Sequence, residues 1–77
     1  MNVARITKAP EERRKEIIDT AIKLFYEKGY EKTTISDIAK EINVAQGLCY
    51  RYFPSKEMLF DCAIDQYAQI LADSITE

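Results

Sequence analysis

Histidine and tryptophan are absent from this sequence, and glycine, proline and cysteine each occur only twice in its 77 residues. Without histidine there can be no Ser–His or Cys–His dyad and no zinc site that uses imidazole. The sequence also lacks a Gly-rich phosphate loop, so we expect a protein that is not an enzyme and that needs no metal or cofactor. No apolar run reaches the roughly 18 residues of a membrane span, so we expect no membrane partner.

The two cysteines, Cys49 and Cys62, lie too far apart to form a C-x-x-C motif. A disulfide between them is conceivable. Two small buried apolar residues in a reduced, cytoplasmic protein are the simpler interpretation, and we adopt it.

The net charge of -2 hides an uneven distribution of charge along the chain. All 11 Lys and Arg residues lie in residues 1–56, whereas the charged side chains of residues 57–77 are all acidic. The first part has a net charge of +3 and the second part of -5. A local excess of positive charge is what a phosphate-binding module needs, although solvated surface charge would look the same.

Helical periodicity and helix-ending residues divide the chain into four helical segments. The first is predicted from Pro10 to Lys28, with Gly29 as a left-handed stop. The second is predicted from Ile35 to Ile42, with Thr34 as its N-cap and Asp37 completing a capping box.

Asn43 favours a left-handed turn into a third helix, from about Ala45 to Phe53. If Cys49 points inward, Phe53 falls about 40° from it and Arg51 about 160–200° away, so Arg51 faces outward. Gly47 shares that outer face, which is flanked by Leu48 and Tyr50. A face of this composition suits contact with a partner better than contact with water.

Pro54 ends the third segment, and Ser55 is predicted to cap a fourth helix that starts at Lys56. This helix is apolar over so much of its circumference that three short helices cannot cover it. We therefore expect it to pack against more chain or another subunit. The first three segments match a helix-turn-helix, so we predict an all-α, homeodomain-like three-helix bundle plus the start of a long fourth helix.

The sequence resembles the DNA-binding domain of the tetracycline-repressor (TetR) family over nearly its whole length. The resemblance rests on A-x-x-L-F-x-x-x-G-Y ending at Tyr30, T-T-I-S-D-I-A at Thr33–Ala39, N-V-A-Q-G at Asn43–Gly47 and Y-R-Y-F-P-S-K-E at Tyr50–Glu57. Four residues depart from the usual family pattern: Asn43 replaces Gly, Ala45 replaces Ser or Thr, Leu48 replaces a small polar residue, and Cys49 replaces Leu.

The resemblance implies contacts to the DNA backbone and to its bases. Phosphate contacts are implied for five residues at helix starts and on the third helix, namely Thr34, Ser36, Tyr50, Tyr52 and Lys56. Entry into the major groove is implied for Ala45, Gln46, Gly47 and Leu48. Gln46 can pair with adenine and Leu48 can touch a thymine methyl. Arg51, which faces outward, is predicted to contact either a guanine or a phosphate.

The resemblance also implies a domain plan. Residues 1–9 would form a flexible basic arm, residues 10–56 the helix-turn-helix domain, and residues 57–77 a fourth helix leading to a C-terminal ligand-binding domain beyond this sequence. Members of the family are dimers that bind palindromic operators and usually repress, and a small-molecule effector bound to the C-terminal domain releases the DNA. The competing hypothesis is a small helical protein-interaction module or antitoxin-like adaptor that uses the apolar fourth helix.

Overall fold

The computed structural model describes residues 8–75 of the chain, and side chains up to residue 73. Residues 1–7 of the predicted basic arm therefore lie outside the described residues. The described residues fold into four helices: α1 (Pro10–Lys28), α2 (Ile35–Glu41), α3 (Gln46–Tyr52) and α4 (Lys56–Ile75). The predicted all-α fold is confirmed, and the predicted helix bounds differ by one residue at the C-terminus of α2 and at each end of α3. No helix in the described range is long and apolar enough to cross a membrane.

The end of α1 depends on a glycine in a conformation that other residues avoid. Gly29 has φ 92° and ψ 156°, and its N–H donates to the Phe25 carbonyl at 2.9 Å. The positive φ was predicted, but the predicted left-handed helical conformation was wrong. The high ψ places Gly29 in an extended region that is essentially restricted to glycine.

The core lies where one face of each helix meets the others. It is built from buried apolar residues of all four helices and the α3–α4 connection, namely Ile17, Ile18, Ala21, Leu24, Ile35, Ile38, Ala39, Cys49, Phe53, Leu59 and Ala63. The Arg14 guanidinium lies over the Phe53 ring at 5.4 Å from its centroid, which links α1 to the end of α3. Both cysteines are free thiols; Cys49 is buried as predicted, whereas Cys62 is only half-buried.

The second half of α4 has few partners among the described residues. Ile64, Tyr67, Ile70 and Leu71 are each 49–54% exposed, although their spacing is that of a buried helical stripe. The expectation that α4 is more apolar than its neighbours require is therefore confirmed. The nature of the covering partner stays a prediction.

Candidate nucleic-acid interface

The start of α2 is held by a reciprocal capping box, as predicted. The Thr34 Oγ1 accepts from the Asp37 N–H at 3.0 Å, and the Asp37 carboxylate accepts from the Thr34 N–H at 3.1 Å. Lys28, in the last turn of α1, donates to the same carboxylate oxygen at 2.8 Å. This ammonium, followed by the Thr34 N–H, lowers the pKa of Asp37 to about 2. The exposed Thr34 hydroxyl therefore sits at a rigid helix start.

The turn between α2 and α3 passes through Asn43, whose φ of 60° is the left-handed conformation predicted for it. The Val44 N–H donates back to the Ala39 carbonyl at 3.0 Å, which closes the turn against α2. Because one residue makes the reversal, the direction of α3 is set by the end of α2. Ala45, the N-cap of α3, supplies no side-chain hydrogen bond, as its methyl group requires.

The orientation of α3 follows the prediction made from its periodicity. Cys49 is fully buried, and burial raises the pKa of its thiol. Gln46, Gly47 and Arg51 are exposed, so they form the outer face. A Cβ added at Gly47 would meet no atom within 4 Å. The space in front of Gly47 is therefore open to an external partner.

The other predicted residues of this region occupy its flanks. Ala45 and Tyr50 are exposed, whereas Ser36, Leu48 and Tyr52 are half-buried. Tyr52 packs against the core and leaves the rest of its surface outward. Its phosphate contact stays a prediction.

Three predicted phosphate-contacting residues from three different elements meet around one shallow depression of about 360 Å³. Its walls include Thr34 from the α2 cap, Tyr50 from α3 and Lys56 from α4, together with Pro54 and Ser55. Ser55 caps α4 as predicted, since its Oγ accepts from the Met58 N–H at 3.1 Å. The tertiary structure thus gathers residues that lie up to 22 positions apart in the sequence.

Lys56 has an intramolecular partner that the sequence did not indicate. Its Nζ donates to the Tyr30 carbonyl at 2.6 Å and lies 4.1 Å from the centroid of the Tyr30 ring. An ammonium group carries three N–H donors, so this bond leaves two of them for another acceptor.

Ion pairs within the protein occupy several of the basic residues. Lys23 pairs with Glu41 at 2.6 Å and Lys28 with Asp37 at 2.8 Å, so the two ends of α2 are tied to α1. Arg13 and Lys15 pair with acidic residues on α1 itself. Arg51, by contrast, forms no ion pair with any described residue and stays available on the α3 face.

Thr33 is a structural residue next to the site that sequence reasoning missed. Its side chain is fully buried, and its hydroxyl lies 2.8 Å from the Gly29 carbonyl and 3.2 Å from the Leu24 carbonyl. The Thr33–Thr34 pair in the sequence marked the start of α2, but it did not indicate which of the two threonines is buried.

Comparisons with known proteins agree with this geometry. A sequence model described as "Bacterial regulatory proteins, tetR family" matches residues 17–63. The chain is 48% identical over 56 residues to the uncharacterized HTH-type transcriptional regulator YuxN of Bacillus subtilis (strain 168), a match that covers 73% of this chain and 19% of YuxN. It is 42% identical over 59 residues to the biofilm operon icaADBC HTH-type negative transcriptional regulator IcaR of Staphylococcus aureus (strain Newman), covering 71% of this chain and 32% of IcaR.

The chain thus spans about a fifth to a third of the length of these relatives. Their names are those of transcriptional regulators, which does not favour the alternative of a protein-interaction module. With the family match covering α2, α3 and their turn in full, the chain belongs to the tetR family of bacterial regulatory proteins.

Proposed function

We propose that this chain is the DNA-reading part of a bacterial transcriptional regulator. The observation that carries the proposal is the placement of the open α3 face beside a depression lined by Thr34, Tyr50 and Lys56. The hydroxyl and ammonium groups that these residues carry suit phosphate oxygens, and an exposed α-helix fits the major groove of B-DNA.

The direct contacts in this proposal are the ten residues predicted from the sequence. Phosphates would be bound by Thr34, Ser36, Tyr50, Tyr52 and the two remaining donors of Lys56. The groove would be entered by the start and outer face of α3, namely Ala45, Gln46, Gly47, Leu48 and Arg51. A catalytic role forms no part of the proposal, because the relatives are named as regulators.

The remaining parts of the proposal concern the longer regulator. Residues 1–9 would serve as a basic arm, residues 10–56 would read the DNA, and residues 57–77 would lead to a C-terminal domain that dimerises and binds a small-molecule effector. The exposed apolar residues of α4 support this arrangement, because they need a covering surface. IcaR is named as a negative regulator, which supports repression here, and a protein that reads bacterial DNA would act in the cytoplasm.

Selection of bound sequences from random duplexes by the full-length regulator tests the proposal directly. Recovery of a common half-site would support it, and recovery of no enriched sequence even at low salt would refute it. Binding should weaken steeply with rising salt, because neutralised phosphates release counterions.

The variant Arg51→Met, measured on a selected duplex, distinguishes the two roles left open for this residue. Loss of a guanine contact should cost about 1–3 kcal/mol and relax the preference at one base position. Loss of a phosphate contact should instead weaken binding to all sequences and reduce the salt slope by about 1. Lys40→Met is the matched control, since Lys40 is also exposed but lies in the last turn of α2.

A further inference from the structure

The first turns of α4 meet the α1–α2 connection in a small cluster that we call the Tyr30 joint, made of Phe25, Tyr30, Lys56 and Phe60. The Tyr30 ring lies 5.2 Å from the Phe25 ring and 4.9 Å from the Phe60 ring, centroid to centroid. Phe25 and Phe60 are 5.6 Å apart in an edge-to-face arrangement. These distances are typical of favourable aromatic pairs, so the three rings form a packed unit.

Lys56 adds two polar contacts to this unit. Its ammonium donates to the Tyr30 carbonyl at 2.6 Å and lies over the face of the Tyr30 ring. A hydrogen bond from a charged donor is stronger than a neutral one, and the side chain is half-buried, which limits competition from water. The backbone of Tyr30 is thus held by a residue of α4.

The Tyr30 backbone is in turn connected to the start of α2. Its carbonyl also accepts from the Thr33 N–H at 3.3 Å, and the buried Thr33 hydroxyl bonds the Gly29 carbonyl. Thr34, the N-cap of α2, follows directly. A displacement of the Tyr30 carbonyl would therefore shift the residue that orients the capping box.

The packing of the helices shows how the Tyr30 joint connects α4 to the start of α2. α4 packs mainly on α1, whereas α2 packs on α1 and on α3. The chain itself joins α4 to α3 through Pro54 and Ser55. In the Tyr30 joint, side chains of α4 contact the segment that leads into α2.

We propose that Lys56 is a positioning residue that fixes the start of α2 relative to α4, in addition to the phosphate contact proposed for it above. The positioning role belongs to the free protein, while its effect on DNA binding rests on the proposed function. Lys56→Met, which keeps the unbranched stem of the side chain but not the donor, separates the two roles from each other.

Amide hydrogen exchange in the free 77-residue chain tests the positioning role. In Lys56→Met, the amides of Thr33 and Asp37 should exchange at least about tenfold faster than in the wild type, as expected when one hydrogen bond from a charged donor is lost. The amide of Phe53, which closes α3, should change much less. Lys56→Arg should restore most of the protection, and Lys40→Met should leave it unchanged.

Equal acceleration at Thr33, Asp37 and Phe53 would overturn the proposal, because Lys56 would then contribute only to global stability. Unchanged exchange at all three amides would overturn it too. Both outcomes are read without DNA, so they stand whether or not the chain binds a duplex.

Salt-dependent binding to a duplex recovered by the random-sequence selection supplies a second test. A lysine that only contacts phosphate loses its contribution as salt rises, and its removal reduces the salt slope by about 1. We expect Lys56→Met to retain an affinity loss of about fivefold when the data are extrapolated to high salt, where the charge term is small. A loss that vanishes at high salt would refute a positioning effect on DNA binding. Absence of binding by the wild type would instead refute the proposed function alone.

Discussion

The buried hydroxyl of Thr33 should contribute more to the free energy of unfolding than its buried methyl group does. Thr33 is fully buried, and its Oγ1 lies within hydrogen-bond distance of the Gly29 and Leu24 carbonyls. Thr33→Val keeps the shape of the side chain and removes the donor. Thr33→Ser keeps the donor and removes one methyl group.

The expected magnitudes differ for the two substitutions. Removing the donor loses a hydrogen bond worth about 1 kcal/mol and leaves a partly buried carbonyl without its partner, for a total of about 1–3 kcal/mol. Removing the methyl loses about 0.8 kcal/mol of transfer free energy. In a domain of this size, about 1 kcal/mol corresponds to a shift of roughly 4–8 °C in Tm.

Thermal unfolding followed by circular dichroism measures both effects. We expect Thr33→Val to lower Tm by about 5–20 °C and by more than Thr33→Ser does. If Thr33→Val were as stable as Thr33→Ser, packing of the methyl group would dominate, and the role assigned to the hydroxyl would be wrong.

Three further predictions concern the turn, the capping box and the thiols. Asn43→Ala should lower the free energy of unfolding by about 1 kcal/mol in urea titrations, whereas Asn43→Gly should not, because only Ala resists the positive φ. The lowered pKa of Asp37 means that its ion pair stabilises the fold fully above the ordinary carboxyl pKa of 3.8 and loses this effect as pH falls towards 2. Stability of the wild type should thus fall more steeply than that of Asp37→Asn between about pH 5 and pH 2, and parallel curves would contradict the assignment. Cys62 should react with an alkylating reagent much faster than the buried Cys49, and mass spectrometry of Cys62→Ala should show one slow thiol.

Local signals in the sequence were sufficient to place the helices. Ile17, Ala21 and Leu24 have the spacing of one helix face and are buried on α1, and Thr34 with Asp37 predicted the capped start of α2. These signals worked because capping and amphipathic periodicity depend on residues within one or two turns of each other. The errors in helix placement are one residue at the C-terminus of α2, one residue at each end of α3, and the ψ of Gly29.

The outer face of α3 could also be predicted, since one buried residue fixes the direction of all others on a regular helix. The ten proposed contact residues came from the family resemblance, and their roles stay predictions. What periodicity did not reveal was which basic side chains are already engaged within the protein. Lys28, Lys23 and Lys56 all have partners at 9 or more positions along the chain, and no local pattern marks such pairs.

By itself, the sequence determined the helical class of this protein, the position of its turn and the family to which it belongs. The helical class and the turn depend on residue spacing and on backbone preferences that act over short distances, whereas the family follows from the motifs that match the family model. Only the tertiary structure decided that Thr34, Tyr50 and Lys56 share one depression and that Lys56 holds the Tyr30 backbone. Those contacts depend on how α1 and α4 cross, and that crossing is set by the summed packing of the whole core rather than by any one segment.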